Sequence, residues 1–130
     1  MRDCIAALPD GLDLATFEAA FNLDANAAAQ LDAYNAQDLE KYVSYFTEDC
    51  IVSGLNGTPT ETSRDAIKAR YAKAFAQFPQ NKAELKNRIA VGNTVVDHEL
   101  VIRAPGGEQF EIIAIYTFRD GLIARVDFAK

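Results

Sequence analysis

Two cysteines and one histidine are all that these 130 residues offer as thiol or imidazole ligands. Cys4 and Cys50 stand too far apart for a zinc motif, and a single histidine does not complete one, so neither a metal nor a cofactor is expected. The same scarcity argues against a disulfide framework, and the two side chains read as buried or idle thiols. Long apolar runs are missing as well. Segments such as Ile112-Ile113-Ala114-Ile115-Tyr116 fall far short of the ~20 residues needed to span a bilayer. Ile5 to Leu8, ahead of Pro9-Asp10-Gly11, is too short for a secretory core. A cytoplasmic protein without a membrane partner is therefore expected. Positive charge is also scarce: 13 Lys and Arg face 19 Asp and Glu, a net charge of −6, with no basic cluster. Such a surface repels phosphate backbones, so nucleic acid is not an expected partner. Nucleophile-elbow, phosphate-loop and dinucleotide fingerprints are absent too.

What is present is ordinary globular material, 49% hydrophobic and 25% charged, in a chain long enough for one domain. Residues 1–23 read as an extension. Within it Leu14, Phe17 and Phe21 fall at helical spacing behind Asp13, a possible cap. Residues 24–130 read as a single domain. Ala27, Leu31 and Tyr34 make one apolar stripe and Leu39, Tyr42, Val43 and Phe46 another, predicting helices over about 24–36 and 39–47 with Asp38 capping the second. A short strand over 49–54 and a loop at Asn56-Gly57-Thr58-Pro59 follow. Thr62 or Ser63 then caps a third helix carrying Ile67, Tyr71, Ala74, Phe75 and Phe78, which Pro79 stops.

From residue 82 the apolar period falls from 3.6 to 2. Four strands are predicted, broken at Gly92-Asn93, Pro105-Gly106-Gly107 and the hairpin dipeptide Asp120-Gly121. This is an α+β pattern, helices against one face of an antiparallel meander. In the strand over 110–118, both Ile112/Ala114/Tyr116 and Ile113/Ile115 are apolar although they point to opposite faces. A sheet with one wet face should alternate, so the outer face, with Ile113 and Ile115, is expected to form a homodimer.

Tyr34-Asn35-Ala36-Gln37-Asp38-Leu39, the segment Tyr45-Phe46-Thr47-Glu48-Asp49, and the closing Ala114-Ile115-Tyr116-Thr117-Phe118-Arg119-Asp120-Gly121-Leu122-Ile123 resemble the nuclear transport factor 2-like (cystatin-like cone) superfamily. Within it, the chain is similar to the SnoaL-like and ketosteroid-isomerase-like branch of small bacterial proteins. The resemblance covers about residues 24–129. It implies a cone-shaped curved sheet wrapped around helices, a homodimer, and an internal pocket between helices and sheet. Members isomerise steroids, cyclise polyketides, hydrolyse epoxides or bind proteins, so the fold alone does not select a chemistry.

Residue by residue, the isomerase machinery is not matched. The position of its tyrosine donor falls on Gln30, that of its aspartate base on Gly54, and that of its protonated aspartate on Ala114. A supporting tyrosine of that family is matched by Tyr71. The acidic residue of similar polyketide cyclases is also lost at Ala114. An epoxide-opening relay would need two carboxylates and an arginine around a water. Asp97, Glu99 and Arg103 share one parity, but apolar Val96, Leu100 and Ile102 favour the other parity as the inner one, which turns the trio outward. That register places His98 on the concave side, where the only histidine is the candidate general base. Asp97 and His98 cannot form a dyad, because strand neighbours point to opposite faces.

Tyr34, Tyr42, Tyr71 and Tyr116 all lie on apolar stripes, and two of the four are expected at the cavity. Cys50 has nothing beside it to activate a thiol. The expected site therefore comprises His98 as catalytic residue, with Gln30, Tyr34, Phe46, Val52, Tyr71, Ile112, Tyr116 and Phe128 as ligand-binding residues. The expected function is binding of a small apolar molecule, with any catalysis a proton transfer on a cyclic or carbonyl compound. The alternative is a non-enzymatic dimeric protein-interaction domain.

Overall fold

The computed structural model describes residues 23–130. The expected N-terminal helix and Cys4 lie outside them. Helix α1 spans Leu23–Ala36 and buries Leu23, Ala27, Gln30 and Leu31 along one side. It ends where Gln37 takes a left-handed φ of 55°, held there by a hydrogen bond from its side-chain amide to the Phe78 carbonyl at 2.8 Å. Asp38 then caps α2, accepting from the Lys41 amide.

Helix α2 covers only Leu39–Val43, shorter than its apolar stripe predicts. Phe46 instead opens strand β1, Phe46–Gly54. The reason is tertiary: the Tyr45 carbonyl accepts from the Ile123 amide at 2.8 Å, and Phe46 pairs with Ile123. Strand pairing outbids one more turn of helix, and Phe46 becomes core at 1% exposure. A three-residue strand β2, Pro59–Glu61, replaces part of the expected loop. Helix α3, Arg64–Gln77, starts at Ser63, whose hydroxyl accepts from the Ala66 amide at 3.1 Å.

Strands β3 (Lys82–Val91), β4 (Thr94–Ile102), β5 (Gln109–Arg119) and β6 (Leu122–Ala129) form the meander. The six strands lie in the order β2-β1-β6-β5-β4-β3, with β1 and β6 parallel and the other neighbours antiparallel. The sheet is curved and unclosed, with the helices in its hollow. Asp120 and Gly121, at φ 55° and 83°, make the tight turn whose twist matches the strands it joins. Among the described residues no helix is long and apolar enough to cross a membrane.

Register decides which side chains face the hollow, because directly opposed residues share a face. Asp97 opposes Ala114 and Glu99 opposes Ile112. The inner residues of β4 are therefore Val95, Asp97, Glu99 and Val101, all buried. This corrects the sequence expectation for β4: Val96, His98, Leu100 and Ile102 lie on the outer face. A second irregularity affects β3. The register slips between Leu85 and Asn87, so Leu85 shares a face with Glu99 while Ile89 and Val91 point outward.

Candidate functional site

A cavity of about 340 Å³ opens between the helices and the hollow of the sheet, at the small end of the ~300–1,000 Å³ usual for ligand pockets. One side is helical. Gln30 and Tyr34 stand one turn apart on α1, and Arg70, Tyr71 and Ala74 share a stripe of α3; all five line the wall. From the sheet come Val52 of β1, Glu99 and Val101 of β4, and Ile112 and Tyr116 of β5. Arg103, Phe110, Phe128 and Lys130 add further wall where strands end or begin.

Seven of the residues expected at the site thus reach the cavity wall: Gln30, Tyr34, Val52, Tyr71, Ile112, Tyr116 and Phe128. Phe46 does not; it packs in the core against Tyr42, with ring centroids 5.0 Å apart. His98 is not there either. On the outer face its Nδ1 lies 3.1 Å from Asn87 Nδ2 and its Nε2 lies 2.6 Å from Glu111. Its general-base role inside the cavity is withdrawn, because the residue opposite it is outward-facing Ile113.

All four cavity-side tyrosines reach the wall, where sequence reasoning expected two. Tyr34, Tyr42 and Tyr71 pack together with Phe75, with centroids 4.8–6.1 Å apart, so they brace the helices as well as lining the space. Burial keeps them neutral: it pushes Tyr34 up to about 12 and raises Tyr42, Tyr71 and Tyr116 as well. Cys50 is fully enclosed in the core, and burial pushes its thiol up to about 12, which leaves it inert.

The acidic floor is what the sequence reasoning missed. Asp97 has no solvent exposure and takes a two-pronged pair from Arg88, Nε to Oδ1 at 2.7 Å and Nη2 to Oδ2 at 2.8 Å. Arg88 also donates to the Asp24 carbonyl at the start of α1, tying floor to helix. Two residues on, Glu99 is 6% exposed and lines the cavity. Its Oε2 is buried with no partner among the described residues. Burial first, then the neighbouring Asp97 charge, push its carboxyl up from 4.5 to about 7. A carboxyl poised there donates and accepts protons with comparable ease at neutral pH.

The three positions matched to the isomerase machinery are placed as follows. Gln30 and Gly54 line the cavity, and Ala114 lies fully buried on the inner face of β5. None carries an acid or base. Asp97 stands directly across from Ala114 on the next strand, and Glu99 across from Ile112. Acidic groups are thus present on the floor, carried by β4 instead of β5.

Among the described residues, a curved six-stranded sheet with three helices in its hollow defines an α+β protein of the cystatin-like cone class. The model of the SnoaL-like domain matches residues 27–126, and the chain belongs to that family. An uncharacterised cystatin-fold protein from Novosphingobium aromaticivorans superposes with a TM-score of 0.78 at 37% identity, over 84% of this chain and 97% of that one. A candidate polyketide cyclase from Sinorhizobium meliloti gives 0.71 at 22% identity, over 85% and 98%. A nuclear transport factor 2-like protein of unknown function from Cytophaga hutchinsonii gives 0.69 at 13%, over 82% and 88%. At the last two identities the likeness concerns the fold alone. Among curated proteins none matches this chain.

Proposed function

We propose that the cavity binds a small, largely apolar molecule and that Glu99 exchanges a proton with it. One observation carries this reading: a carboxyl oxygen buried without a partner among the described residues, on the wall of an otherwise mostly apolar cavity. An unsatisfied buried polar atom costs about 1–3 kcal/mol, and a ligand carbonyl or hydroxyl would relieve it. In its ionised form Glu99 would accept a proton from a carbon beside a carbonyl, leaving an enolate and a neutral carboxyl. The same proton, returned to another carbon or to oxygen, restores the carboxylate and balances the cycle. Neutral tyrosine hydroxyls and Gln30 are the available donors to the enolate oxygen. Proton transfer on a carbonyl compound also suits a fold shared with a candidate polyketide cyclase.

A thermal-shift screen of the purified chain against small steroids, polyketide-like aromatics, lactones and epoxides tests this, with Glu99→Gln beside wild type. A ligand at 100 times its dissociation constant adds ~2.7 kcal/mol of stability. Hits weakened by Glu99→Gln are expected. A panel without a hit, or hits indifferent to Glu99→Gln and to filling the cavity with Ala74→Phe, would defeat the proposal.

The alternative reading, a dimeric interaction surface, has its own support on the outer face. Ile89, Val91 and Ile113 are 63%, 73% and 40% exposed there. Within that face Arg125 pairs with Asp127, and His98 hydrogen-bonds to Glu111. A two-fold interface joins the same patch on both copies, so an apolar face whose polar groups bond within it suits a second copy of the chain. Sedimentation is expected to give a dimer at micromolar concentration and a monomer for Ile113→Asp. A wild-type monomer would remove the dimer.

A further inference from the structure

One wall of the cavity carries an arginine that reaches no carboxylate among the described residues. Six arginines fall within the described residues. Five of them reach a carboxylate: Arg64 pairs with Glu48, Arg70 with Glu61, Arg88 with Asp97, Arg119 with Asp49 and Arg125 with Asp127. Arg103 has no such partner among the described residues, and it is on the cavity wall. Its guanidinium lies 4.5 Å from the centroid of the Phe78 ring and 5.0 Å from that of Phe110. Its Nη1 donates to Asn81 Oδ1 at 3.0 Å, and Asn81 in turn donates to the Tyr34 hydroxyl at 2.6 Å. Asn81 is buried at 4% exposure, so the cation is held in place by neutral groups.

Three features make this more than a surface arginine. First, Nε is enclosed and has no partner among the described residues, a desolvated donor on a cation that meets no carboxylate there. Second, the Lys130 ammonium sits 4.0 Å from the same Phe110 ring, so two cations converge on one aromatic at the cavity wall. Third, they do so in a chain of net charge −6, where a local excess of positive charge runs against the global field. Surrounding aromatic rings stabilise a guanidinium, but they do not neutralise it. Nη1 is committed to Asn81 and Nε is shut away, which leaves Nη2 to meet an anion.

The opposite partner in the same cavity is Glu99. Residues 99 and 103 are four apart along the β4 direction, roughly 13 Å at strand rise. Tyr34, Phe110 and Ile112 line the same cavity. A molecule bridging the two is apolar in its middle, where aromatic walls favour a planar body, and different at its ends.

Resting on the small-molecule reading above, we propose that the ligand is a conjugated or aromatic carboxylate. Its anionic group lies against Arg103 and Lys130, its planar body beside Phe110 and Tyr34, and an uncharged oxygen, carbonyl or hydroxyl, at Glu99. Carboxylate suits this end because a guanidinium meets it edge-on through charge-assisted hydrogen bonds. The neutral oxygen suits the other end because a second anion would face Glu99 and Asp97 together.

Matched probes test the charge separately from the cavity. 2-Naphthoate and its neutral isostere 2-naphthamide share shape and differ by one charge, and titration calorimetry of the full chain at pH 7 compares them. Wild type is expected to bind naphthoate about tenfold more tightly than the amide. Arg103→Gln should abolish that preference while keeping the amide affinity, Arg103→Lys should retain much of it, and Lys130→Gln should reduce it. Retention by Arg103→Lys separates a charge effect from a loss of fold. Equal affinities in wild type, or a preference untouched by Arg103→Gln, overturn the carboxylate assignment and leave the cavity reading standing. Binding of neither probe, or binding of both unaltered by Ala74→Phe, overturns the two together.

Discussion

Two arginine–aspartate pairs in this fold have nearly the same geometry and opposite surroundings. Arg88 grips Asp97 through two hydrogen bonds of 2.7 and 2.8 Å on the inner face of the sheet. Arg125 grips Asp127 through two of 2.9 and 3.0 Å on the outer face. Inside, Asp97 has no solvent to return to, so the pair is a condition for having an acid in the floor at all. Its charge then acts on Glu99, where it is the second cause, after burial, of the raised carboxyl. Outside, water screens the other pair, and its part is to keep an apolar face free of unbalanced charge. The same bond matters by its dielectric surroundings more than by its length.

The largest expected effect breaks the inner pair. Arg88→Met leaves Asp97 buried and unpaired and should cost about 3–5 kcal/mol of stability, read from urea unfolding at pH 7. Arg125→Met should change the urea midpoint very little. Equal losses from the two variants would end the comparison. Adding Asp97→Asn to Arg88→Met should recover part of the loss, because the uncompensated charge is then gone.

An intermediate effect sharpens the comparison through pH. Folding raises the Glu99 carboxyl from 4.5 to about 7, so the folded chain holds that proton more tightly than the unfolded one. Its contribution is complete below pH 4.5 and is lost as pH rises through about 7, an amount of about 3 kcal/mol. Glu99→Gln removes the titration. The stability of wild type relative to Glu99→Gln should therefore fall between pH 4.5 and pH 8, measured by urea midpoints at matched ionic strength. A difference independent of pH would mean that Glu99 ionises normally.

The smallest effect belongs to the other neighbour on β4. His98→Ala touches only the outer face, where Glu111 is its partner. Affinity for any cavity ligand should stay within error of wild type in calorimetry. A clear loss would put His98 back inside and reverse the register.

Most of the architecture was legible because local signals agreed with it. Asp38 and Ser63 cap the helices they announce, Asp120-Gly121 turns the last hairpin, and the double-faced apolar pattern of β5 correctly separates Ile112/Ala114/Tyr116 from Ile113/Ile115. Phe46 misled because its helical spacing is real, but pairing of β1 with β6 captures it. Strand β4 misled for a different reason. Both its parities carry apolar side chains, and the one with more of them, Val96, Leu100 and Ile102, is the outer one. Hydrophobic pattern alone places charged residues outside, and it fails where a half-buried arginine from another strand, Arg88, neutralises one of them. The hairpin supplied the missing signal. Opposed residues of an antiparallel pair have numbers adding to a constant, so once even positions of β5 face inward, the register of its hairpin sends the odd positions of β4 inward. Asp97 and Glu99 follow from that count. The importance of Arg103 does not, since it depends on which arginines find carboxylates in three dimensions.

The most direct test of the central claim is a carbon-detected NMR titration of the glutamate side-chain carboxyls, wild type against Glu99→Gln. One carboxyl is expected to titrate near pH 7 and to vanish from the variant. A spectrum in which every glutamate titrates below pH 5, with Glu99 among them, would contradict a proton-holding carboxyl on the cavity wall and remove the chemical basis proposed for this site.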